Sequence, residues 1–312
     1  MIKNNIKHLP LAAMLLLFSC KKDVTGTNII DAQQAAVPSN PIDNNDVLGN
    51  GINLQPSYYN SGNPTIGWSL MAAQTKIKTV RIEIEPNRVG EARQWISGAK
   101  SNGLTVIATY HKSAVLGSND AAELMAAANW WKANYVTLGG NFTINLMNEW
   151  GNHDLTAAAY AAAYNEAIAI VRTVYAGPIV LDISGWGQET KVAADASKII
   201  TDKKIILSAH IYPNGYNKGN GHNFQPSDLD DFSAAGRPGM VGEFGNEPSS
   251  GTVDWAACVA YAKTKKYPVL GWAWNGDGGG MNMASPSWAS AGGGSATSFT
   301  LSPYFNIIYD KL

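Results

Sequence analysis

The sequence predicts an α/β protein built as a (β/α)8 barrel, the TIM barrel. From residue 48 onward, short apolar and β-branched runs alternate with longer segments of helical period, the pattern of parallel strands joined by helices. Eight such units fill residues 48–312, a length that suits one barrel. A doubly wound open sheet is the alternative. It should show a Gly-rich phosphate turn after the first strand, and LQPSYYNSGNP is not one.

The strands and the clearest helices follow from the same pattern. The predicted strands cover 51–55, 79–85, 105–111, 142–149, 178–184, 204–212, 239–245 and 268–274. The clearest helices cover 119–137, 156–175 and 252–266. Thr156 is placed to cap the second of these helices, because its hydroxyl can accept from a free backbone N–H of the first turn.

The first 47 residues are predicted to lie outside the barrel. Lys3 and Lys7 precede a short apolar run that ends in LFSC, the arrangement of an export signal. Leu-x-Ser-Cys resembles the bacterial lipobox, whose cysteine is lipidated. We therefore expect a lipoprotein signal peptide over 1–19, a lipidated Cys20 with a flexible tether over 20–47, and the barrel domain over 48–312. An ordinary secretory signal cleaved nearby is the alternative.

These features predict an exported lipoprotein. It would be held at the cell surface or in the periplasm by an outer-membrane lipid anchor, or be secreted. With 15% charged residues and a formal net charge of −1, the chain lacks the excess positive charge that typically binds nucleic acid or an anionic membrane surface. The lipid is therefore the only membrane contact expected, and we expect a monomer.

The cysteine and aromatic contents are also informative. Apart from Cys20 only Cys258 remains, so no internal disulfide can form, and we expect Cys258 to fill the core. Ten Trp and thirteen Tyr are many for this length. Aromatic residues beyond the needs of the core suit flat, weakly charged ligands such as sugars.

Polar and aromatic residues gather at the ends of the predicted strands, where barrel active sites are built. In strand order they are Glu83, Glu85, His111, Asn148, Glu149, Asp182, Ser184, His210, Tyr212, Glu243, Trp272 and Trp274. A buried carboxylate is costly unless it is paired. Glu149 and Glu243 end strands four and seven, on opposite sides of the barrel mouth. Two carboxylates facing each other across a cleft are what glycosidic bond cleavage needs.

This set of motifs resembles glycoside hydrolase family 5, the retaining barrel glycosidases. The matching motifs are Arg81 in TVRIE, His111 in TYH, Asn148-Glu149, the His-x-Tyr of SAHIYP, Glu243 in VGEFG, and GWAW. The resemblance covers nearly all of 48–312 and implies that this domain is catalytic.

One motif departs from the family pattern. The family's usual Asn-Glu-Pro at strand four is Asn148-Glu149-Trp150 here, whereas a literal Asn-Glu-Pro stands at 246–248. Glu247 has no strand immediately before it, so we assign the strand-four role to Glu149.

The resemblance implies a role for each residue. Glu149 would be the general acid/base and Glu243 the nucleophile, with carboxyl groups about 5–5.5 Å apart. Arg81 would hold Glu243 ionised, through the bidentate hydrogen bond that a guanidinium can make, and Tyr212 would donate to Glu243. Asn148 would contact the 2-hydroxyl of the sugar. A structural ion pair with one of the two nearby strand-two glutamates is the alternative for Arg81.

Two histidines and three tryptophans complete the predicted substrate site: His111, His210, Trp186, Trp272 and Trp274. Strand-end histidines can also be structural. With a carboxylate they could ligate zinc, but no tight His-x-His or His-Glu-x-x-His spacing is present, so we expect no metal. A single tryptophan is often a packing residue. At a glycine-rich barrel mouth we expect the three to stack on sugar faces.

Three motifs make the chain most similar to the bacterial β-mannanases of that family: WGQ, SAHIYP and GWAWNGDGGG. Those enzymes cleave internal β-1,4-mannosidic bonds with retention and need no cofactor. The resemblance therefore implies a retaining endo-β-1,4-mannanase that acts on mannan or glucomannan without a cofactor. Asn275 and Asp277 depart from the last motif, so a β-1,4-endoglucanase is the alternative. A non-catalytic, surface-anchored glycan-binding lipoprotein is a third hypothesis, which the two retained glutamates oppose.

Overall fold

Eight parallel strands close into a barrel. The computed structural model describes residues 48–246 and 251–312, so the predicted signal peptide, Cys20, the tether and Glu247 lie outside the described residues. The barrel strands are β1 (Gly51–Leu54), β2 (Thr79–Ile84), β3 (Thr105–Tyr110), β4 (Thr143–Asn145), β5 (Ile179–Asp182), β6 (Ile205–Ile211), β7 (Gly239–Phe244) and β8 (Val269–Gly271). Each strand pairs in parallel with its sequence neighbours, and β1 pairs with β8. The (β/α)8 prediction is confirmed, and the open sheet is excluded because the barrel is closed.

The strands β4 and β8 are shorter than predicted. The prediction for β4 ran to Glu149, but the strand ends at Asn145. Glu149 has a φ of +47°, a left-handed conformation that a strand cannot contain. The prediction for β8 ran to Trp274, but the strand ends at Gly271 and the chain then enters a long glycine-rich loop.

Helices connect the strands. In chain order, those of five or more residues are α1 (Trp68–Ala72), α2 (Val89–Ser101), α3 (Ala121–Asn134), α4 (Ala157–Val171), α5 (Thr190–Ile199), α6 (Asp230–Ala234), α7 (Trp255–Thr264) and α8 (Pro303–Tyr309). The three helices singled out in the sequence are present as α3, α4 and α7. Asp120, Thr156 and Asp254 cap them, each side chain accepting from a backbone N–H of the first turn. No helix in the part of the chain described is long and apolar enough to cross a membrane.

The barrel interior has an apolar layer below a polar one. Ile107, Val180, Met240 and Leu270 form a buried cluster of their own. Arg81 on β2 pairs in register with Ile107 of this cluster and with Asn53 on β1. The polar layer, which begins with Arg81 and Asn53, therefore lies directly beside the apolar layer. Cys258 is buried in α7, as predicted. The fold thus places a group of polar side chains at the carboxyl ends of the strands, on an apolar base.

Two short antiparallel ribbons were not predicted. Tyr216–Asn217 pairs with His222–Asn223 in the loop after β6, and Ala284–Ser285 pairs with Thr300–Leu301 after β8. Their strands have two residues each, too few to show a period of two in the sequence. Both ribbons belong to loops that follow strands, so they lie at the same end of the barrel as the polar group.

Candidate active site

Arg81 lies at the centre of the barrel mouth and is completely buried. Its N–H groups donate to Asn53, Glu83, Asn145, Asn148, Asp182 and Glu243, which come from five different strands or the residues just after them. Burial alone would lower the pKa of Arg81, but the carboxylates of Asp182, Glu243 and Glu83 raise it, so the group stays a cation.

The predicted bidentate bond from Arg81 to Glu243 is wrong. Only Nη1 reaches Glu243, at 2.8 Å from Oε1, because the other donors are engaged by neighbouring side chains. The same Nη1 is 2.9 Å from Oε1 of Glu83, so the structural ion pair and the bond to Glu243 exist together.

Glu243 is held as an anion at the end of β7. Besides the Arg81 bond, the Tyr212 hydroxyl donates to Oε2 at 2.8 Å, and Nδ1 of His210 is 3.5 Å from Oε1. Burial alone would raise the pKa of Glu243. The positive charges of His210 and Arg81 and the Tyr212 hydrogen bond nevertheless lower it below its ordinary value. Glu243 is therefore an ionised, almost buried carboxylate, the state that a nucleophile requires.

Glu149 faces Glu243 from the other side of the cleft. Its left-handed backbone is held by two hydrogen bonds: its N–H donates to Oδ2 of Asp182 at 3.3 Å, and its carbonyl accepts from the Gly117 N–H at 2.9 Å. The carboxyl Oε1 lies 2.9 Å from Nδ1 of His210. The side chain is 14% exposed, so the carboxyl is open to the cleft. Glu149, His210 and Glu243 each offer an atom within 4.8 Å of the others.

Asp182, to which the sequence assigned no role, connects the two carboxylates. It is fully buried; Oδ2 accepts from Arg81 at 3.0 Å, and Oδ1 lies 3.4 Å from Nε2 of His210. Burial would raise the pKa of Asp182, but His210 and Arg81 lower it well below the usual range. Burial would likewise lower the pKa of His210, but Glu243 and Asp182 raise it well above the usual range. These two anions favour the protonated form of His210, whose Nδ1 faces Oε1 of Glu149 at 2.9 Å.

His111 belongs to a second polar group beside the first. Its Nε2 is 3.4 Å from Glu83, its Nδ1 is 3.4 Å from Glu85, and the Tyr58 hydroxyl lies 2.8 Å from Nδ1. Burial would raise the pKa of Glu85, but hydrogen bonds from His111, Tyr58 and the Ser113 N–H lower it to about 2. The sequence missed Tyr58, which sits in a loop after β1 with no motif to mark it.

The three predicted tryptophans have different surroundings. Trp186 is 39% exposed, and its indole covers Gly117 on the Glu149 side of the cleft. Trp272 is 9% exposed, and its Nε1 donates to Asp277 at 3.1 Å. Trp274 has no exposed surface, and its Nε1 donates to the Ile66 carbonyl at 2.7 Å. The predicted stacking of Trp274 on substrate is therefore wrong, because the ring is enclosed by the core.

The other predicted substrate-binding residues divide by exposure. Arg81 and His210 have no exposed surface, so the prediction that they contact sugar is corrected: they act on the carboxylates. His111, Asn148 and Tyr212 retain some exposure. Asn148 accepts from Arg81 through Oδ1, and its amide nitrogen donates to no group in 48–246 or 251–312, which leaves it available to a ligand.

A metal site is disfavoured by the chemistry of the donors. The one group of His, Cys, Asp and Glu side chains near enough to share an ion, among residues the structure describes, is Glu149, His210 and Glu243. Glu243 and Asp182 raise the pKa of His210 and so favour its protonated form, and Oε1 of Glu243 already accepts from the Arg81 cation. Two cationic donors at these atoms favour proton transfer over metal binding.

Comparison with known proteins agrees with this geometry. The profile of the family described as "Cellulase (glycosyl hydrolase family 5)" matches residues 59–278. The chain belongs to glycosyl hydrolase family 5. The match extends from the loop after β1 to the loop after β8, so it includes Arg81, Glu149, His210 and Glu243.

Curated relatives share modest identity with the chain. A mannan endo-1,4-beta-mannosidase of Streptomyces lividans is 27% identical over 202 residues, which cover 61% of this chain and 51% of that protein. Another, from Cellvibrio japonicus (strain Ueda107), is 24% identical over 253 residues, covering 76% and 57%. The chain thus spans little more than half the length of these two relatives.

Solved structures of a mannanase and of an endoglucanase share the fold. The mannanase catalytic domain of Streptomyces sp. SirexAA-E superposes with a TM-score of 0.66 at 22% identity, covering 85% of each chain. The endoglucanase catalytic domain of Thermobifida fusca gives the same TM-score at 16% identity, covering 85% of this chain and 90% of that one. The fold alone therefore does not separate the two activities.

Proposed function

We propose that the protein is an endo-acting, retaining β-1,4-mannanase that hydrolyses mannan and glucomannan by double displacement. One observation carries the mechanism: an oxygen of Glu149 and an oxygen of Glu243 lie within 4.8 Å of each other. Retaining glycosidases hold their carboxyl groups about 5–5.5 Å apart, whereas inverting ones need about 6.5–9.5 Å to admit a water. The short separation therefore supports retention.

In the first step, Glu243 attacks the anomeric carbon and Glu149 gives its proton to the departing oxygen. The bond between that carbon and that oxygen breaks, and the sugar becomes covalently attached to Glu243. Arg81 and Tyr212 keep Glu243 ionised before the attack. No metal or organic cofactor takes part in this scheme.

In the second step, Glu149 takes a proton from a water, and the water oxygen attacks the same carbon. The bond to Glu243 breaks, so two successive inversions retain the configuration. His210 donates toward Oε1 of Glu149 in both steps, which leaves the other carboxyl oxygen to exchange the proton.

The choice of mannan rests on the relatives and on one side chain. Three curated relatives carry the name mannan endo-1,4-beta-mannosidase. In the subsite beside Glu243 the axial 2-hydroxyl of mannose would accept from the free amide of Asn148. A site built to bond one hydroxyl rejects an epimer, because its polar group would be left unpaired.

An endo-β-1,4-glucanase is the second candidate. The family description names cellulases, and a 28% identical relative of Caldicellulosiruptor saccharolyticus is a beta-mannanase/endoglucanase A. A binding protein without activity is a weaker candidate, because Arg81 and Tyr212 would then hold a nucleophile ionised for no reaction.

The deciding experiment is a reducing-sugar assay of the purified protein on mannan, glucomannan, carboxymethyl cellulose and xylan, with products sized by chromatography. We expect short oligosaccharides early from the first two polymers and little from the others. Glu243→Ala should abolish turnover. Glu149→Ala should retain activity on aryl glycosides with good leaving groups and yield a β-glycosyl azide with added azide. A preference for cellulose would favour the glucanase, and inactivity on all four polymers would favour the binding protein.

We further propose that Cys20 carries a lipid that anchors an exported monomer to the outer membrane, with 21–47 as tether. The support is the LFSC motif and the charged, then apolar, segment before it. Cys20→Ala should move the protein from the membrane fraction to the soluble fraction without changing its activity. Membrane association that survives this substitution would refute the anchor.

A further inference from the structure

Two exposed aromatic residues flank one histidine on the rim next to the cleft. Trp186 and Tyr216 are 39% and 41% exposed, although large apolar side chains are usually covered. The His153 ring centroid lies 5.4 Å from that of Trp186 and 6.3 Å from that of Tyr216. His153 and Tyr216 have no role in the chemistry described above, so the arrangement needs another explanation.

A buried carboxylate lies beneath this group. Glu189 has no exposed surface; its Oε1 is 2.6 Å from Nδ1 of His153 and accepts from the Lys218 N–H at 2.8 Å, and its Oε2 accepts from the Gly219 N–H at 2.7 Å. Lys218 and Gly219 follow directly on the ribbon strand that carries Tyr216. One side chain therefore fixes both His153 and the Tyr216 ribbon.

The backbone around Trp186 is tightly constrained. Residues 185, 186 and 187 have φ values of 66°, 54° and 82°, a left-handed turn that a bulky aromatic residue rarely enters. A Cβ on Gly185 would lie 2.6 Å from Nδ1 of His153, and one on Gly187 would lie 2.5 Å from Cβ of His210. Strained backbone of this kind is retained where a side chain must be aimed.

The position of Trp186 indicates which part of a substrate it meets. A Cβ on Gly117 would lie 2.4 Å from Cζ2 of Trp186, so the indole rests on Gly117, whose N–H donates to the Glu149 carbonyl. The general acid protonates the oxygen of the departing sugar. The departing part of the chain therefore leaves the cleft on the Glu149 side, where Trp186 stands.

We propose that Trp186, His153 and Tyr216 form an aromatic strip that binds the departing part of a β-1,4-linked sugar chain, and that Glu189 is the positioning residue of this strip. The proposal rests on the function proposed above. Sugar rings present apolar faces to aromatic rings, and the hydroxyls at their edges remain in water. Because Glu189 holds His153 and the Tyr216 ribbon at once, its loss loosens the whole strip without touching the reacting carboxylates.

The test compares a substrate that reaches the strip with one that does not. Mannohexaose extends past Glu149 on the departing side, whereas in β-mannobiosyl fluoride the leaving group is a single atom. The variants of the full chain are Trp186→Ala, His153→Ala, Tyr216→Ala and Glu189→Gln. The control is Ile307→Ala, since Ile307 is 41% exposed on α8, away from the cleft. Thermal unfolding confirms that each variant is folded.

We expect KM for mannohexaose to rise about tenfold in the strip variants, the loss of one aromatic contact, while kcat and fluoride turnover stay nearly unchanged in His153→Ala, Tyr216→Ala and Glu189→Gln. The sites at which mannohexaose is cut should also shift. An equal loss on both substrates, or no loss in His153→Ala and Tyr216→Ala, overturns the proposal. Since these two residues are exposed or half-buried, a folding failure of Glu189→Gln does not remove the test. If the wild type prefers glucan, the proposed function fails, and cellohexaose and β-cellobiosyl fluoride test the strip in the same way.

Discussion

Replacing Tyr212 with phenylalanine is expected to move the acid limb of the pH profile upward. The hydroxyl donates to Oε2 of Glu243 at 2.8 Å and favours the ionised carboxylate. Without it the pKa of Glu243 rises, so Glu243 stays protonated, and unable to attack, up to a higher pH.

The magnitude follows from the geometry. A hydrogen bond to a charged group contributes about 1.5–3 kcal/mol. The lower end applies to Glu243, because Arg81 and His210 still stabilise the anion in the variant. Since about 1.4 kcal/mol corresponds to one pH unit, the acid limb of kcat/KM should move up by about one pH unit.

The assay is kcat/KM on mannohexaose measured across the acid range for the wild type and two variants. Tyr175→Phe is the matched control, because its hydroxyl donates at 2.9 Å to the neutral Pro178 carbonyl before β5. The control should leave the acid limb in place. An acid limb that stays put or moves down in folded Tyr212→Phe would refute the reasoning that Tyr212 stabilises the charged nucleophile.

Three further predictions concern other residues of the barrel mouth and the core. Asp182→Asn should lower kcat about tenfold or more, because His210 loses one of the two anions that raise its pKa and Arg81 loses a partner; an unchanged kcat in steady-state kinetics would contradict this. Trp274→Ala should lower the free energy of unfolding by about 3–5 kcal/mol in denaturant titrations, and wild-type stability would show that the ring is not a core residue. Glu85→Gln should lower the thermal stability at neutral pH. The folded-state pKa of Glu85 is about 2 against an ordinary 4.5, so the difference should vanish as the pH falls from above 4.5 toward 2. A difference in melting temperature that persists at low pH would contradict the last prediction.

The barrel could be predicted from the sequence because each unit carries its own local signal. The β-branched runs indicate the strands and the helical periods indicate the helices. Their alternation along the chain predicts that the strands are parallel. Local signals also placed Glu149 and Glu243 at strand ends. What the period could not show was where a strand stops: β8 ends at Gly271, so both Trp272 and Trp274 lie beyond the strand that was predicted to contain them.

The network around the carboxylates was harder to predict because it depends on contacts between distant strands. Asp182 stood at a strand end in the sequence, but its hydrogen bond with Arg81 and its charge contact with His210 exist only once the barrel has closed. Glu189 was overlooked beside the more conspicuous Trp186. The one available signal for Glu189 was its place next to a glycine-rich turn. If that turn is buried, a charged side chain there needs hydrogen-bond or ionic partners.

The buried guanidinium of Arg81 also limits how this barrel can be divided or recombined. The half that ends before β5 supplies the cation with its amide partners and Glu83, whereas Asp182 and Glu243 come from the other half. Without the second half Arg81 loses two of its three carboxylate partners, and without the first half Asp182 and Glu243 lose the Arg81 cation. Removing one side of a buried ion pair costs about 3–5 kcal/mol, so exchanging a half with another barrel is tolerated only if the incoming half supplies matching charge. We therefore expect the two halves to be inherited together. The Arg81 cation then contributes to the assembly of the barrel as well as to the reaction.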